Sequence, residues 1–157
     1  MAQEIERKFL VIGEYKSKAY VCHHISQGYI CSESGRTVRV RIRDNEGFLT
    51  IKGPSEDGGL SRFEWEKEIP VTEAKQLMKL CNEEKIDKNR YLVKSGDHVF
   101  EVDEFFGENE GLVVAEVELK SINDTYDDPG FIGKEVTGDM RYYNSHLMKM
   151  PFCKWDK

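Results

Sequence analysis

The segment Thr37-Val38-Arg39-Val40-Arg41-Ile42-Arg43 places three arginines on one parity and three β-branched residues on the other. Side chains alternate across a β-strand, so residues two apart share a face. A helix would scatter these arginines around its circumference; a strand gives one basic and one apolar face. The device recurs in six further stretches. Glu4, Glu6 and Lys8 oppose Ile5 and Phe9, and Lys52 opposes Leu49 and Ile51. Arg62, Glu64, Glu66 and Glu68 oppose Phe63, Trp65 and Ile69, while Lys88 and Arg90 oppose Tyr91 and Val93. Glu101 and Asp103 oppose Phe100 and Val102, and Glu116 and Glu118 oppose Ala115, Val117 and Leu119.

Turn residues separate these stretches at Ser34-Gly35, Asn45-Glu46-Gly47, Gly53 to Gly59, Ser95-Gly96-Asp97 and Gly107 to Gly111. Strands are expected near 3–11, 23–31, 37–44, 47–53, 61–69, 87–95, 98–106 and 112–120. Ala74, Leu77, Met78 and Cys81 repeat at helical spacing behind Thr72, which predicts a helix capped by Thr72. A shorter helix is expected over 144–150 and a helical turn within 12–22. Residues 121–139 read as a loop, with a turn at Asp127-Asp128-Pro129-Gly130. The 157 residues fit one domain spanning 1–157. Its predicted class is mainly β (α+β): a closed eight-stranded antiparallel barrel with a few flanking helices.

The polar faces carry charges almost without Ser, Thr or Gln, and the charges are segregated by strand. A sandwich would turn such faces to water. A barrel that buries its apolar residues outward instead encloses them, and buried charges are tolerated when paired or metal-bound. Separate basic and acidic walls suit a polyanion with its cations.

The formal net charge is −6 although 33% of residues are charged. That balance argues against a general nucleic-acid binder. No stretch approaches the roughly 20 apolar residues of a membrane span. The start Met1-Ala2-Gln3-Glu4 lacks the character of a signal peptide. Cys22, Cys31, Cys81 and Cys153 form no CxxC pair, so reduced thiols and a cytoplasmic location are expected. Zinc is not expected, since His23, His24, His98 and His146 lack ligand spacing.

Glu4-Ile5-Glu6-Arg7-Lys8 carries an ExExK signature that resembles the CYTH domain, or triphosphate tunnel metalloenzymes, in the short single-domain bacterial tripolyphosphatase-like form. The resemblance extends through Val38-Arg39-Val40-Arg41, Leu49 to Gly53, and Arg62, Glu64 and Glu66. It continues through Lys88-Asn89-Arg90-Tyr91, Glu101-Val102-Asp103, Glu116-Val117-Glu118 and Gly133 to Asp139, and on to Arg141, Tyr142 and Asn144. It implies an eight-stranded tunnel that binds a triphosphate and hydrolyses it with a divalent metal, inorganic tripolyphosphate above all. Thiamine triphosphatases and class IV adenylate cyclases belong to the same family and are the alternatives. A non-catalytic polyphosphate binder is the alternative of another class, against which the clustered carboxylates argue.

Arginine grips phosphate oxygens in pairs and lysine adds a point charge. Lys8, Arg39, Arg41, Lys52, Lys88 and Arg90 are therefore the expected phosphate clamp, with Arg43 and Arg62 weaker candidates near strand ends. Hard cations, Mg2+ or Mn2+, need carboxylate oxygens. Glu4, Glu6, Glu116 and Glu118 are the expected metal ligands, with Asp103 a further candidate. Glu4, Glu6, Lys8, Glu64 and Glu118 are the candidate catalytic residues, the general base being one of Glu4, Glu6, Glu64 and Glu118. Lys134 and Arg141 either assist substrate binding or secure the C-terminal segment. The expected partner is a small-molecule triphosphate, with neither nucleic acid nor membrane, and the apolar outer face of the barrel is suited to a homodimer contact.

Overall fold

A computed structural model describes residues 3–33, 35–81 and 85–156. Ser34 of the expected Ser34-Gly35 turn lies outside them. Among the described residues the strands are β1 (Gln3–Val11), β2 (Val21–Glu33), β3 (Arg36–Arg43), β4 (Glu46–Glu56), β5 (Ser61–Ile69), β6 (Ile86–Ser95), β7 (His98–Phe105), β8 (Val113–Glu118) and β9 (Ile132–Glu135). Their order is β5-β4-β3-β2-β6-β7-β8-β1-β9, and pairing of β1 with β5 closes the first eight into an antiparallel barrel. Such closure leaves the eight strands no long free edge. One edge of β1 is shared, Gln3 to Ile5 pairing with β5, and Phe9 and Val11 with β9.

The eight expected strands are present, with ends moved by a few residues. The expected loop over 121–139 instead contains β9. Four residues, one of them Gly133, are too few to show alternation; the open edge of β1 selects this strand. The main helix α1 covers Val71–Met78, and its N-cap is Pro70, not Thr72. Pro70 has extended backbone angles, and its carbonyl accepts from Glu73 and Ala74 N–H at 3.0 Å each. The chain therefore turns two residues earlier than a Thr72 cap requires. A 3-10 turn at Lys16–Lys18 answers the helical turn expected in 12–22. The second helix, α2, covers Asn144–Leu147, shorter than expected.

Apolar residues of the outer face are buried, as the alternation requires. Phe9, Val93, Phe100, Val102, Ala115 and Val117 pack under Tyr15 and Phe131 from the two flanking loops. Edge-to-face ring pairs such as Tyr15 with Tyr91 and Phe100 with Phe131 knit this layer. On the other side, α1 lies over β3 and β4. Gly47 permits this, since a Cβ there would stand 2.6 Å from Ala74 Cβ. Ile51, Phe63 and Trp65, beyond the reach of α1, remain exposed.

One part of the barrel interior is apolar, which the sequence pattern did not indicate. Tyr29, Ile86, Phe105 and Val114 meet Val136, Tyr142, Leu147 and Met148 from the C-terminal segment in a second cluster. That segment stoppers one end, so the charged interior is a pocket rather than a wet tunnel throughout. No helix among the described residues is long and apolar enough to cross a membrane.

Candidate active site

The charged faces converge on one cavity of about 1080 Å³, its open mouth included. Its cationic wall comprises Lys8, Arg39, Arg41, Arg43, Lys52, Arg62, Lys88 and Arg90, and its carboxyls are Glu4, Glu6, Glu64, Glu66, Glu101, Glu116 and Glu118. Strand register sets the neighbours. Glu6 lies opposite Glu118 and Lys8 opposite Glu116 across β1–β8, while Lys52 lies opposite Glu64 across β4–β5.

The acidic side is crowded. Burial raises the Glu6 carboxyl well above its ordinary range, and the charges of Glu116 and Glu4 add to this. Burial works on Glu116 too. The Lys8 ammonium, a hydrogen bond from Glu6, and Arg90 and Lys88 nevertheless hold it well below the usual range. Of this hydrogen-bonded pair Glu6 is thus the stronger proton holder and Glu116 the more readily ionised. Glu64 and Glu4 are a second neighbouring pair of carboxyls, held together by Lys52. Burial raises Glu64; burial opposes the Glu4 charge as well, yet Lys52 holds Glu4 low. Lys52 Nζ stands 2.9 Å from Glu4 Oε1 and 3.2 Å from Glu64 Oε2. Glu118 has no ion pair among the described residues. Burial and the charges of Glu4, Glu101 and Glu64 raise its carboxyl.

The basic side is braced from behind. Arg39 Nη2 donates to Thr50 Oγ1 at 3.2 Å, and Thr50 Oγ1 donates to Glu66 Oε1 at 2.7 Å. Arg41 Nε donates to Gln27 Oε1 at 3.0 Å, and burial, then Arg39 and Arg90, lower its guanidinium to about 9. Lys88 is fully buried and donates to Asp103 Oδ2 and to Asn144 Oδ1, each at 2.8 Å. The Nε atoms of Arg39, Arg43 and Arg62 are buried without a hydrogen-bond partner. An unpaired buried donor is costly, and an anion in the cavity would supply the acceptor.

Every expected clamp residue lines the cavity, as do Glu4, Glu6, Glu64, Glu116 and Glu118. Asp103 does not. It is 1% exposed, behind the wall, with both oxygens taken up by Arg90 and Lys88. Arg43 and Arg62 line the cavity despite their positions near strand ends, because tilted barrel strands bring the end of one level with the middle of another. Their parity with Arg39 and Glu64 was the available signal. Arg141 turns to Asp139 on the surface, and Lys134 is exposed. His23 and His24 pair with Asp44 and Asp87 at 2.6 and 2.5 Å, away from the cavity lining.

Sequence reasoning missed Tyr29, Thr37, Tyr143 and Ser145 on the lining. Tyr143 arrives from the C-terminal stopper, and its ring centroid lies 4.9 Å from Lys8 Nζ and 5.8 Å from Arg62 Cζ. No strand alternation could have announced it.

The carboxyl set suits a hard divalent cation, because a positive ion would offset the mutual repulsion of carboxyls crowded at Glu4, Glu6, Glu64 and Glu116. Among the described residues no three His, Cys, Asp or Glu side chains form a self-sufficient cage. A cation here would complete its shell with phosphate oxygens and water, as Mg2+ does.

The profile of the CYTH domain matches residues 2–146. A protein of Acetivibrio thermocellus named inorganic triphosphatase is 49% identical over 154 residues, covering 97% of both chains. One of Nitrosomonas europaea with the same name is 36% identical over 148 residues, covering 92% of this chain and 95% of the relative. The crystal structure of the inorganic triphosphatase NE1496 superposes with a TM-score of 0.65 at 32% identity, covering 92% of this chain and 96% of the other.

Proposed function

The chain belongs to the CYTH domain family, and on that premise we propose that it is a divalent-metal-dependent hydrolase of inorganic tripolyphosphate. One observation carries the reading: cationic side chains with unpaired guanidinium donors face a cluster of crowded carboxyls across a single cavity. A non-catalytic anion binder needs the first set and has no use for the second.

Lys8, Arg39, Arg41, Lys52, Lys88 and Arg90 bind and orient the triphosphate, with Arg43 and Arg62 extending the clamp. Positioning and charge neutralisation of this kind supply most of the catalysis in phosphoryl transfer. Glu4, Glu6 and Glu116 hold the cation, Mg2+ or Mn2+. When bound, such an ion polarises phosphoryl oxygens and lowers the pKa of a coordinated water. Asp103 serves the clamp from behind rather than the cation. Glu118 accepts the proton of the attacking water, supported by its place on the lining, its lack of an ion pair and its raised carboxyl. Water adds to the terminal phosphorus, the phosphoanhydride bond breaks, and orthophosphate and pyrophosphate leave.

The test is orthophosphate release from tripolyphosphate with Mg2+ or Mn2+ and with a chelator. Release that stops with the chelator supports the reading. Release unaffected by the chelator would remove the metal from it.

A further inference from the structure

We infer that Tyr143 is a positioning residue, whose ring holds Lys8 and Arg62 on one anion. This rests on the reading of the cavity as a triphosphate site. Lys8 is 5% exposed, and its polar contacts are long: 3.5 Å to Glu116 Oε1 and 3.3 Å to the Tyr142 carbonyl. The Tyr143 ring, 4.9 Å from Nζ, is the other group that holds it. Arg62 comes from β5 and meets the same ring at 5.8 Å, with its Nε unpartnered. Cations are drawn to an aromatic face by its quadrupole, more strongly when desolvated. A ring attracts them without bringing a counter-charge. A carboxylate at the same place would have to be displaced by the incoming phosphate, whereas the ring adds no counter-charge to Arg62 and none to Lys8 beyond the 3.5 Å contact with Glu116.

The ring itself is fixed. Its hydroxyl shares a hydrogen bond with Ser55 Oγ at 3.2 Å. Its chain is docked where Lys8 N–H donates to Thr137 Oγ1 at 3.0 Å and Val136 N–H donates to the Lys8 carbonyl at 2.8 Å. The segment that stoppers the barrel therefore also orients two cations contributed by different strands. Tyr143 acts on affinity through them and touches no reacting atom.

Tyr143→Phe, which gives up the Ser55 hydrogen bond, is the reference, and the corresponding 4-fluoro, 3,5-difluoro and pentafluoro-Phe substitutions keep its ring shape while progressively weakening its quadrupole. KM for tripolyphosphate is read with Mg2+, and Kd by calorimetry with a chelator present. The expected result is a Tyr143→Phe protein within about twofold of the unmodified one, and a progressive rise reaching about tenfold for the pentafluoro ring. The thermal midpoint stays constant along the series, and the slope is shallower in an Arg62→Met background. Constant KM and Kd along the series would overturn the inference, as would a rise that merely tracks lost thermal stability. If the unmodified protein binds tripolyphosphate without hydrolysing it, the hydrolase reading fails while Kd still decides the role of Tyr143. If it binds none, both fail.

Discussion

Asp103 clasps Arg90 from behind the cavity wall, its Oδ1 2.8 Å from Nε and its Oδ2 2.9 Å from Nη2, while the same Oδ2 receives Lys88 Nζ at 2.8 Å. One carboxylate thus balances two buried cations. Removing it leaves Lys88 without a counter-charge and Arg90 with the longer Glu101 contact alone, at 3.4 Å, so Asp103→Ala should lose about 3–5 kcal/mol of stability. Added tripolyphosphate should raise the variant's unfolding midpoint more than the unmodified protein's, because it replaces part of the missing charge. An Asp103→Asn protein that keeps its stability and triphosphate affinity but needs more metal would instead make Asp103 a ligand.

Lys88 sits in the same cluster with its ammonium weakened to about 7. Burial is the main cause; Asp103 opposes it, and Arg90 and Arg41 add to it. A bound triphosphate brings negative charge and raises that pKa. Between about 7 and the ordinary 10.5 the complex then holds a proton that the free protein has released. Binding should take up protons near pH 8, uptake should vanish below about pH 6, and affinity should fall as pH rises through this window. Calorimetry in buffers of different ionisation enthalpy, with a chelator present, measures the uptake, and Lys88→Met should remove most of it, leaving the smaller share of Arg41, whose guanidinium is lowered to about 9.

Glu6 separates stability from function. Burial, then Glu116 and Glu4, keep its carboxyl protonated above the ordinary 4.5. The folded state therefore holds a proton that the unfolded chain releases above that value, and Glu6 costs stability as pH rises through its raised pKa. Glu6→Gln copies the protonated form. It should match or exceed the unmodified protein in urea stability at neutral pH while losing about 100-fold or more in turnover. Retained turnover would remove Glu6 from the cation site.

Gly138 has φ +79°, and a Cβ there would collide with the Gly58 carbonyl oxygen. Gly138→Ala should cost about 1–3 kcal/mol from backbone strain, with the clash in addition. It should also raise KM by loosening the segment that carries Tyr143 and Asn144. Gly35→Ala is the control, since Gly35 has φ +86° and a Cβ added to it would meet nothing within 4 Å. Its thermal midpoint should fall less, with KM unchanged.

The barrel and most of the lining were legible because alternation is a local signal. Arg39 and Arg41 declare their shared face within a few residues of chain. Depth was not legible: Asp103 shares the inner face with Glu101, yet it is sealed behind Arg90 and Lys88, and only the register of β6 with β7 decides that. Nor was β9, whose four residues become a strand because the edge of β1 is open beside them. Tyr143 and Asn144 reach the cavity from a turn and a short helix, where no periodicity marks a face. Pro70 displaced Thr72 as the cap of α1 because its backbone already ends β5 in an extended conformation.

The most direct measurement is orthophosphate release from tripolyphosphate, ATP and thiamine triphosphate in parallel, with Mg2+ or Mn2+, and with the ATP reaction assayed for cyclic AMP. Rapid metal-dependent release from tripolyphosphate, exceeding that from both organic triphosphates, is the predicted result. Cyclic AMP with pyrophosphate from ATP, or tight tripolyphosphate binding without turnover, would contradict it.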